Sequence, residues 1–180
     1  MGLTYNEALG RLKAGNAKYL SSTCNPGDVS PAIRRDTAAN GQRPYAIIVA
    51  CSDSREIPEA IFSCGIGELF TIRVAGNVIG DNQLGSIEYA AGHLEVPLAV
   101  VMGHTGCGAV DAAIEGHTEG HVGHITKDII KAIAGEHDPF HASRRNVKYQ
   151  VGKIRRHFPS LHTVGALYHI DSGAVEWLDF

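Results

Sequence analysis

Two short polar segments each follow an uninterrupted apolar run. Cys51-Ser-Asp-Ser-Arg55 comes directly after Tyr45-Ala-Ile-Ile-Val-Ala50, and Gly103-His-Thr-Gly-Cys-Gly108 comes directly after Pro97-Leu-Ala-Val-Val-Met102. Thiolate sulfur and imidazole nitrogen are ligands well matched to zinc. If the two runs are near neighbours in a parallel sheet, the segments after them meet outside the carboxyl ends of the strands, where open sheets place their ligand sites. Cys51, His104 and Cys107 would then converge on one metal. Three protein ligands leave a fourth tetrahedral position for water, the arrangement of a catalytic rather than a structural zinc.

A plainer reading competes. Cysteine is among the most buried residue types, so Cys51 at a strand end also fits simple core packing, and a lone His-x-x-Cys is a weak signal. The coincidence of place favours the metal, because both segments end an apolar run. Cys24 and Cys64 have no such setting and read as non-ligands, with Cys64 packed in a helix. The same residues also allow nucleophilic catalysis by Cys51 or Cys107 with His104 as base. Asp53 and Arg55 stand two apart, which on an extended segment places both side chains on one side. The arginine can then hold the carboxylate in a charge-assisted, bidentate pair beside the candidate ligands. A surface ion pair of little energetic value is the alternative. His117, His121 and His124 are spaced by 4 and 3 but flanked by glycines, and read as solvated loop histidines. Gly103-x-x-Gly106-x-Gly108 matches neither the dinucleotide fingerprint nor the Walker pattern, so nucleotide binding is a weak rival.

The elements that must position these residues are strands alternating with helices. Thr4 and Glu7 have capping-box spacing, and Tyr5, Leu9, Leu12 and Tyr19 recur on one helical face. Residues 24–42 are rich in Pro, Gly, Asp and Asn and read as loop. Residues 45–50, 69–74 and 98–102 are strand candidates, the first and third apolar enough for burial on both faces. Pro58 opens a helix of two turns over 57–64. Residues 83–93 and 109–114 read as helices. Ile125, Ile129 and Ile133 form a helical stripe ended by Gly135, and Ser143 caps a further helix carrying Val147, Val151 and Ile154. Residues 162–170 and 174–178 are two final strands joined by a turn at Asp171-Ser-Gly173. The fold class is therefore α/β, with a mostly parallel central sheet flanked by helices.

Bulk properties narrow the functions. A chain of 180 residues suits one domain. It is divided here into an N-terminal helical arm and loop (1–40) and an α/β core (41–180). A chain of this size buries about 70% of its unfolded surface and needs no disulfide. With a net charge of −3 and no basic stripe, nucleic acid is not an expected partner. The apolar runs are too short to span a bilayer, and the start lacks the basic stretch and apolar core of a secretory signal. The expectation is a cytoplasmic protein whose thiols stay reduced.

With these residues in hand, the chain resembles the β-carbonic anhydrases. Cys51-Ser-Asp53-Ser-Arg55 and His104-Thr-Gly-Cys107 match the two signatures of that family. Residues 68–77 (ELFTIRVAGN), 85–90 (GSIEYA) and 164–168 (VGALY) are also similar, so the resemblance spans nearly the whole chain. It implies one zinc per chain on Cys51, His104 and Cys107, with Asp53 and Arg55 as a catalytic dyad. Gln42, Phe70 and Tyr89 match substrate-pocket positions of the plant-like branch, and Gly108 joins that substrate-binding set. It also implies an antiparallel strand extending the parallel sheet, and a homodimer or homotetramer with sites at the interface. Helix 4–20 would be the arm that embraces the partner.

The implied reaction is the reversible hydration of carbon dioxide to bicarbonate and a proton, in which zinc lowers the pKa of water toward neutrality. Two thiolates cancel the metal charge, so a hydrogen bond from the hydroxide, accepted by Asp53, must compensate for the weaker acidity. Another branch builds a bicarbonate-inhibition pocket with a Trp and a Tyr. The one tryptophan here is Trp177, so that pocket looks absent, and Asp53 is expected to stay on Arg55 rather than on zinc. Hydrolysis of carbonyl sulfide or carbon disulfide at the same site, and a non-catalytic zinc module, are the rival functions.

Overall fold

In a computed structural model, which describes residues 2–24 and 27–180, five strands form one sheet in the order β2-β1-β3-β4-β5. The strands are β1 (Ala46–Ala50), β2 (Leu69–Arg73), β3 (Leu98–His104), β4 (His162–Tyr168) and β5 (Val175–Leu178). The first four run parallel, and β5 pairs antiparallel with β4. Every residue of β1 and β3 is buried, as strands covered on both faces must be. Their side chains alternate between two cores. Ala46, Ile48, Ala50, Leu98, Val100 and Met102 face one core, with Leu12 and Phe62. Ile47, Val49, Ala99 and Val101 face the other, with Ile87, Val147, Val151 and Ile154.

Seven helices flank the sheet among the described residues: α1 (Tyr5–Ser21), α2 (Pro31–Asn40), α3 (Pro58–Ile61), α4 (Asp81–Gly92), α5 (Gly108–Ile114), α6 (Gly123–Ile133) and α7 (Pro139–His157). No described helix is long and apolar enough to cross a membrane. The capping box on α1 is present: Thr4 N–H donates to Glu7 Oε2 at 2.8 Å and Glu7 N–H to Thr4 Oγ1 at 3.4 Å. Ala8 and Leu12 of α1 are fully buried on this chain's own core. A Cβ on Gly15 would lie 1.9 Å from the Phe62 carbonyl oxygen, so α1 touches backbone. Asn16 fastens the helix by donating to Gly173 O at 3.0 Å and accepting from Val175 N–H at 3.0 Å.

Four expectations need correction. The 24–42 segment is not all loop: residues 31–40 form α2, started by the Ser30 cap and Pro31, while Asn25 and Pro26 lie outside the described residues. No α2 residue is buried, so it carries no apolar period to read. The helix at Pro58 makes one turn over Pro58–Ile61, and Cys64 lies beyond it, sharing a hydrogen bond with Tyr45 Oη at 3.0 Å. The last helix starts at Pro139 with Asp138 as its cap; Ser143 sits inside it, its hydroxyl donating to Pro139 O at 2.8 Å. The α6 stripe ends one residue early, because Ala134 itself adopts the left-handed conformation.

Candidate metal centre

The register places the two polar segments side by side. Val49 pairs with Val101 across β1 and β3, so Cys51, just past β1, stands beside the end of β3 where His104 lies. A turn then leads to Cys107, the cap residue of α5. The ligand atoms of Cys51, His104 and Cys107 all lie within 4.8 Å of one another, and all three residues are buried. This is the single group of its kind among the described residues. His104 Nδ1 lies 3.0 Å from Thr105 O, so that nitrogen carries the proton and donates. The lone pair of Nε2 is left facing the sulfurs, and Nε2 is buried without a hydrogen-bond partner. An orphaned imidazole nitrogen held in one tautomer by its other nitrogen is a prepared metal ligand. The donor set therefore fits zinc.

The sulfurs are tuned by one another. Hydrogen bonding from the Cys107 side chain drives the Cys51 thiol down to about 4, against burial and with help from His104 and the Gly76 N–H. The same contact with Cys51, then burial, pushes Cys107 up. Burial alone would lower the His104 pKa, but Cys51 and Glu56 outweigh it and raise it.

Asp53 and Arg55 do form the bidentate pair. Arg55 Nε donates to Asp53 Oδ1 at 2.9 Å and Nη2 to Oδ2 at 2.7 Å. The geometry differs from an extended segment, since Arg55 N–H also donates to Asp53 Oδ1 at 2.9 Å, closing a tight turn. Arg55 Nη2 reaches Gly106 O at 3.3 Å, tying the pair to the second polar segment. Asp53 Oδ2 lies 3.8 Å from His104 Nε2, so the carboxylate faces the space between the three ligands. The Arg55 hydrogen bonds hold its pKa far below the usual carboxylate range, against burial.

Gly108 stands next to Cys107 at the exposed start of α5, and nothing within this chain lies within 4 Å of a Cβ placed there. Gln42, Phe70 and Tyr89 lie elsewhere. Phe70 pairs with Ile47, four residues before Cys51 along β1, which is roughly 13 Å toward the other end of the sheet. The Tyr89 ring packs 6.1 Å from Phe70, with Tyr89 47% exposed. Gln42 precedes β1 altogether and is exposed. His117, His121 and His124 are exposed.

Several residues around the centre went unread in the sequence. Glu56 is fully buried; its Oε2 accepts from Cys51 N–H at 2.7 Å, and burial lifts its pKa to about 8. Nothing in the pattern separates it from a surface glutamate. Arg73 donates to Cys51 O at 2.9 Å and to Asp53 O at 2.6 Å, and Gly76 N–H donates to Cys51 Sγ at 3.1 Å. Both sit in the 68–77 segment that carried the resemblance.

A mostly parallel α/β sheet with a buried two-cysteine, one-histidine cluster at its carboxyl edge defines a protein equipped to hold a metal ion. Comparison with known proteins gives the family. The carbonic anhydrase family profile matches residues 46–175. Carbonic anhydrase 2 of Mycobacterium tuberculosis is 42% identical over 68% of this chain, which spans 59% of that relative's length. The carbonic anhydrase of Mycolicibacterium smegmatis is 36% identical over 92% of this chain and 89% of its own. In fold, the chain is similar to tetrameric β-carbonic anhydrases of Sordaria macrospora, with a TM-score of 0.73 at 22% identity, covering 98% of this chain and 96% of theirs. The chain belongs to the β-carbonic anhydrase family.

Proposed function

We propose that this protein catalyses the reversible hydration of carbon dioxide to bicarbonate and a proton, with Cys51, His104 and Cys107 as zinc ligands. The observation that carries the reading is the Arg55-held Asp53 carboxylate facing the three buried ligand atoms, with Oδ2 at 3.8 Å from the orphaned His104 Nε2. Bound zinc supplies the Lewis acidity that makes water nucleophilic near neutral pH. Asp53, held ionised by Arg55, accepts a hydrogen bond from the attacking oxygen and aims its lone pair at the substrate carbon. Because both Asp53 oxygens are engaged by Arg55, the carboxylate would remain with Arg55 and would not itself join Cys51, His104 and Cys107 as a ligand. Gly108 lines the approach beside Cys107.

The remaining pocket residues argue for an assembly. Gln42, Phe70 and Tyr89 lie at the opposite end of the sheet from Cys51, so one chain does not bring them to its own centre. We infer a homodimer, or a multiple of it, in which the partner subunit's Gln42 donates to the substrate oxygen where charge develops. The partner subunit's Phe70 and the partner subunit's Tyr89 would wall a dry pocket. The tetrameric state of the Sordaria macrospora proteins is in line with this. Reduced Cys51 and Cys107 suit a cytoplasmic setting. The test is stopped-flow carbon dioxide hydration on zinc-loaded and chelator-stripped protein, with carbonyl sulfide hydrolysis in parallel. Rapid, zinc-dependent hydration supports the reading; an active metal-free protein, or one that turns over only carbonyl sulfide, overturns it.

A further inference from the structure

A polar stripe on one face of α7 reaches the metal centre through the backbone. Asn146, Gln150 and Lys153 are spaced by 4 and 3, so they share a face. Asn146 is fully buried, and its Nδ2 donates to Gly76 O at 2.8 Å. Gln150 Nε2 donates to Asn146 Oδ1 at 3.2 Å and to Asp128 Oδ2 at 2.9 Å, while its Oε1 accepts from Ile79 N–H at 3.1 Å. Lys153 Nζ donates to Ile79 O at 2.9 Å and to both Asp128 oxygens at 2.7 Å. The stripe therefore grips the chain at residue 76, inside a short 3-10 turn at Ala75–Asn77, and at residue 79 just after it.

That turn needs a grip. Gly76 and Asn77 both have left-handed backbones, with φ of 66° and 46°, and a non-glycine residue there is strained. A Cβ on Gly76 would lie 2.7 Å from Ile129 Cδ1 and 3.1 Å from Ala109 Cβ. What the turn delivers is the Gly76 N–H, aimed at Cys51 Sγ at 3.1 Å. The Gly76 carbonyl and the Gly76 N–H lie in the two peptide units that meet at its Cα, so pinning one on Asn146 and the other on sulfur limits both backbone torsions of Gly76.

We infer that Asn146 is a positioning residue for the metal: by anchoring Gly76 O it sets the N–H···S hydrogen bond that tunes the Cys51 thiolate as a ligand. The inference rests on the ligand assignment proposed above. Loss of an outer-shell partner of a metal ligand costs about 10- to 100-fold in metal affinity or activity. Asn146 acts one residue removed, so the lower end applies.

The probe is cobalt(II), whose thiolate charge-transfer band reports sulfur donor strength. Asn146→Asp keeps the shape but removes the donor. It should bind cobalt about tenfold more weakly and shift the charge-transfer band to longer wavelength, because a less hydrogen-bonded thiolate is a better donor. Val151→Ala, a core truncation on the same helix, should lower Tm with an unchanged band. If Asn146→Asp lowers Tm and leaves band and affinity as in wild type, the role is overturned. A second reading needs no variant. In the wild-type protein loaded with NMR-active cadmium, the Gly76 amide proton should show scalar coupling to the metal through sulfur, and a Gly76 amide without coupling overturns the role even if Asn146→Asp does not fold. Wild-type protein that binds no cobalt overturns the ligand assignment as well, which separates the two failures.

Discussion

Removing Arg55 should separate activity from stability. The Arg55–Asp53 pair has side-chain exposures of 55% and 18%, and an exposed ion pair contributes about 0–1 kcal/mol to folding. Arg55→Ala should therefore lower Tm by no more than about 4 °C. The effect on turnover is larger, because both Asp53 oxygens are held by that one guanidinium. Charge-assisted hydrogen bonds are worth about 1.5–3 kcal/mol each when sheltered. Discounted for the solvent on Arg55, the orientation of Asp53 is worth about 2–3 kcal/mol in the transition state, so kcat/KM should fall roughly 30- to 150-fold. Zinc content should stay at one per chain, since no ligand is touched. Arg55→Lys keeps the charge without the fork and should recover only part of the rate. Stopped-flow hydration with metal analysis checks all of this. An Arg55→Ala protein with turnover within threefold of wild type would falsify the role given to the pair.

Four further outcomes are expected. Cys107→Ser should lose most of its zinc and its activity; full occupancy in metal analysis would contradict the ligand assignment. Mixing Gln42→Ala with Cys107→Ser chains, then refolding together, should restore about one quarter of wild-type activity, because half the two-fold dimers carry one intact site; no recovery would exclude a shared site. Gly15→Ala puts a Cβ 1.9 Å from the Phe62 carbonyl and should cost about 3 kcal/mol or more, lowering Tm by roughly 6–12 °C. Gly10→Ala, with nothing within 4 Å, should raise it slightly, and equal effects of the two in a thermal melt would refute the close approach. Hydrogen bonding from Arg144, opposed by burial and aided by His169, depresses the Glu176 pKa. That contribution is present above the unfolded carboxyl value and is lost as pH falls through the depressed folded one, so the Tm gap between wild type and Glu176→Gln should be open at pH 7 and close below about pH 4. A gap constant across that range would contradict it.

How much of this was readable in the sequence follows from burial. β1 and β3 are covered on both faces, so their continuous apolar runs announced them. The loops at their ends then brought Cys51, His104 and Cys107 together as their placement suggested. α2 escaped because an exposed helix needs no apolar stripe, although Ser30 and Pro31 offered a start signal. Asn146 and Gln150 are polar and carry no apolar signal, yet they are buried because backbone groups at 76 and 79 need partners. The distance of Phe70 from Cys51 depends on strand register, which no local pattern encodes.

The seam between α1 and the β4–β5 turn sets an order of events during synthesis. Asn16 is bonded to residues 157 and 159 positions later in the chain, and Tyr19 meets Tyr168 hydroxyl to hydroxyl at 3.1 Å. At about 5–20 residues per second, translation separates their emergence by roughly 8 to 30 s. For that interval α1 can pack only on the early part of its core, with Leu12 against Phe62 and Asn16 on the Ile61 carbonyl, while the Asn16 bonds to Gly173 and Val175 are unmade. All three metal-ligand candidates emerge well before its clasp does. The clasp itself closes only when residue 175 is out.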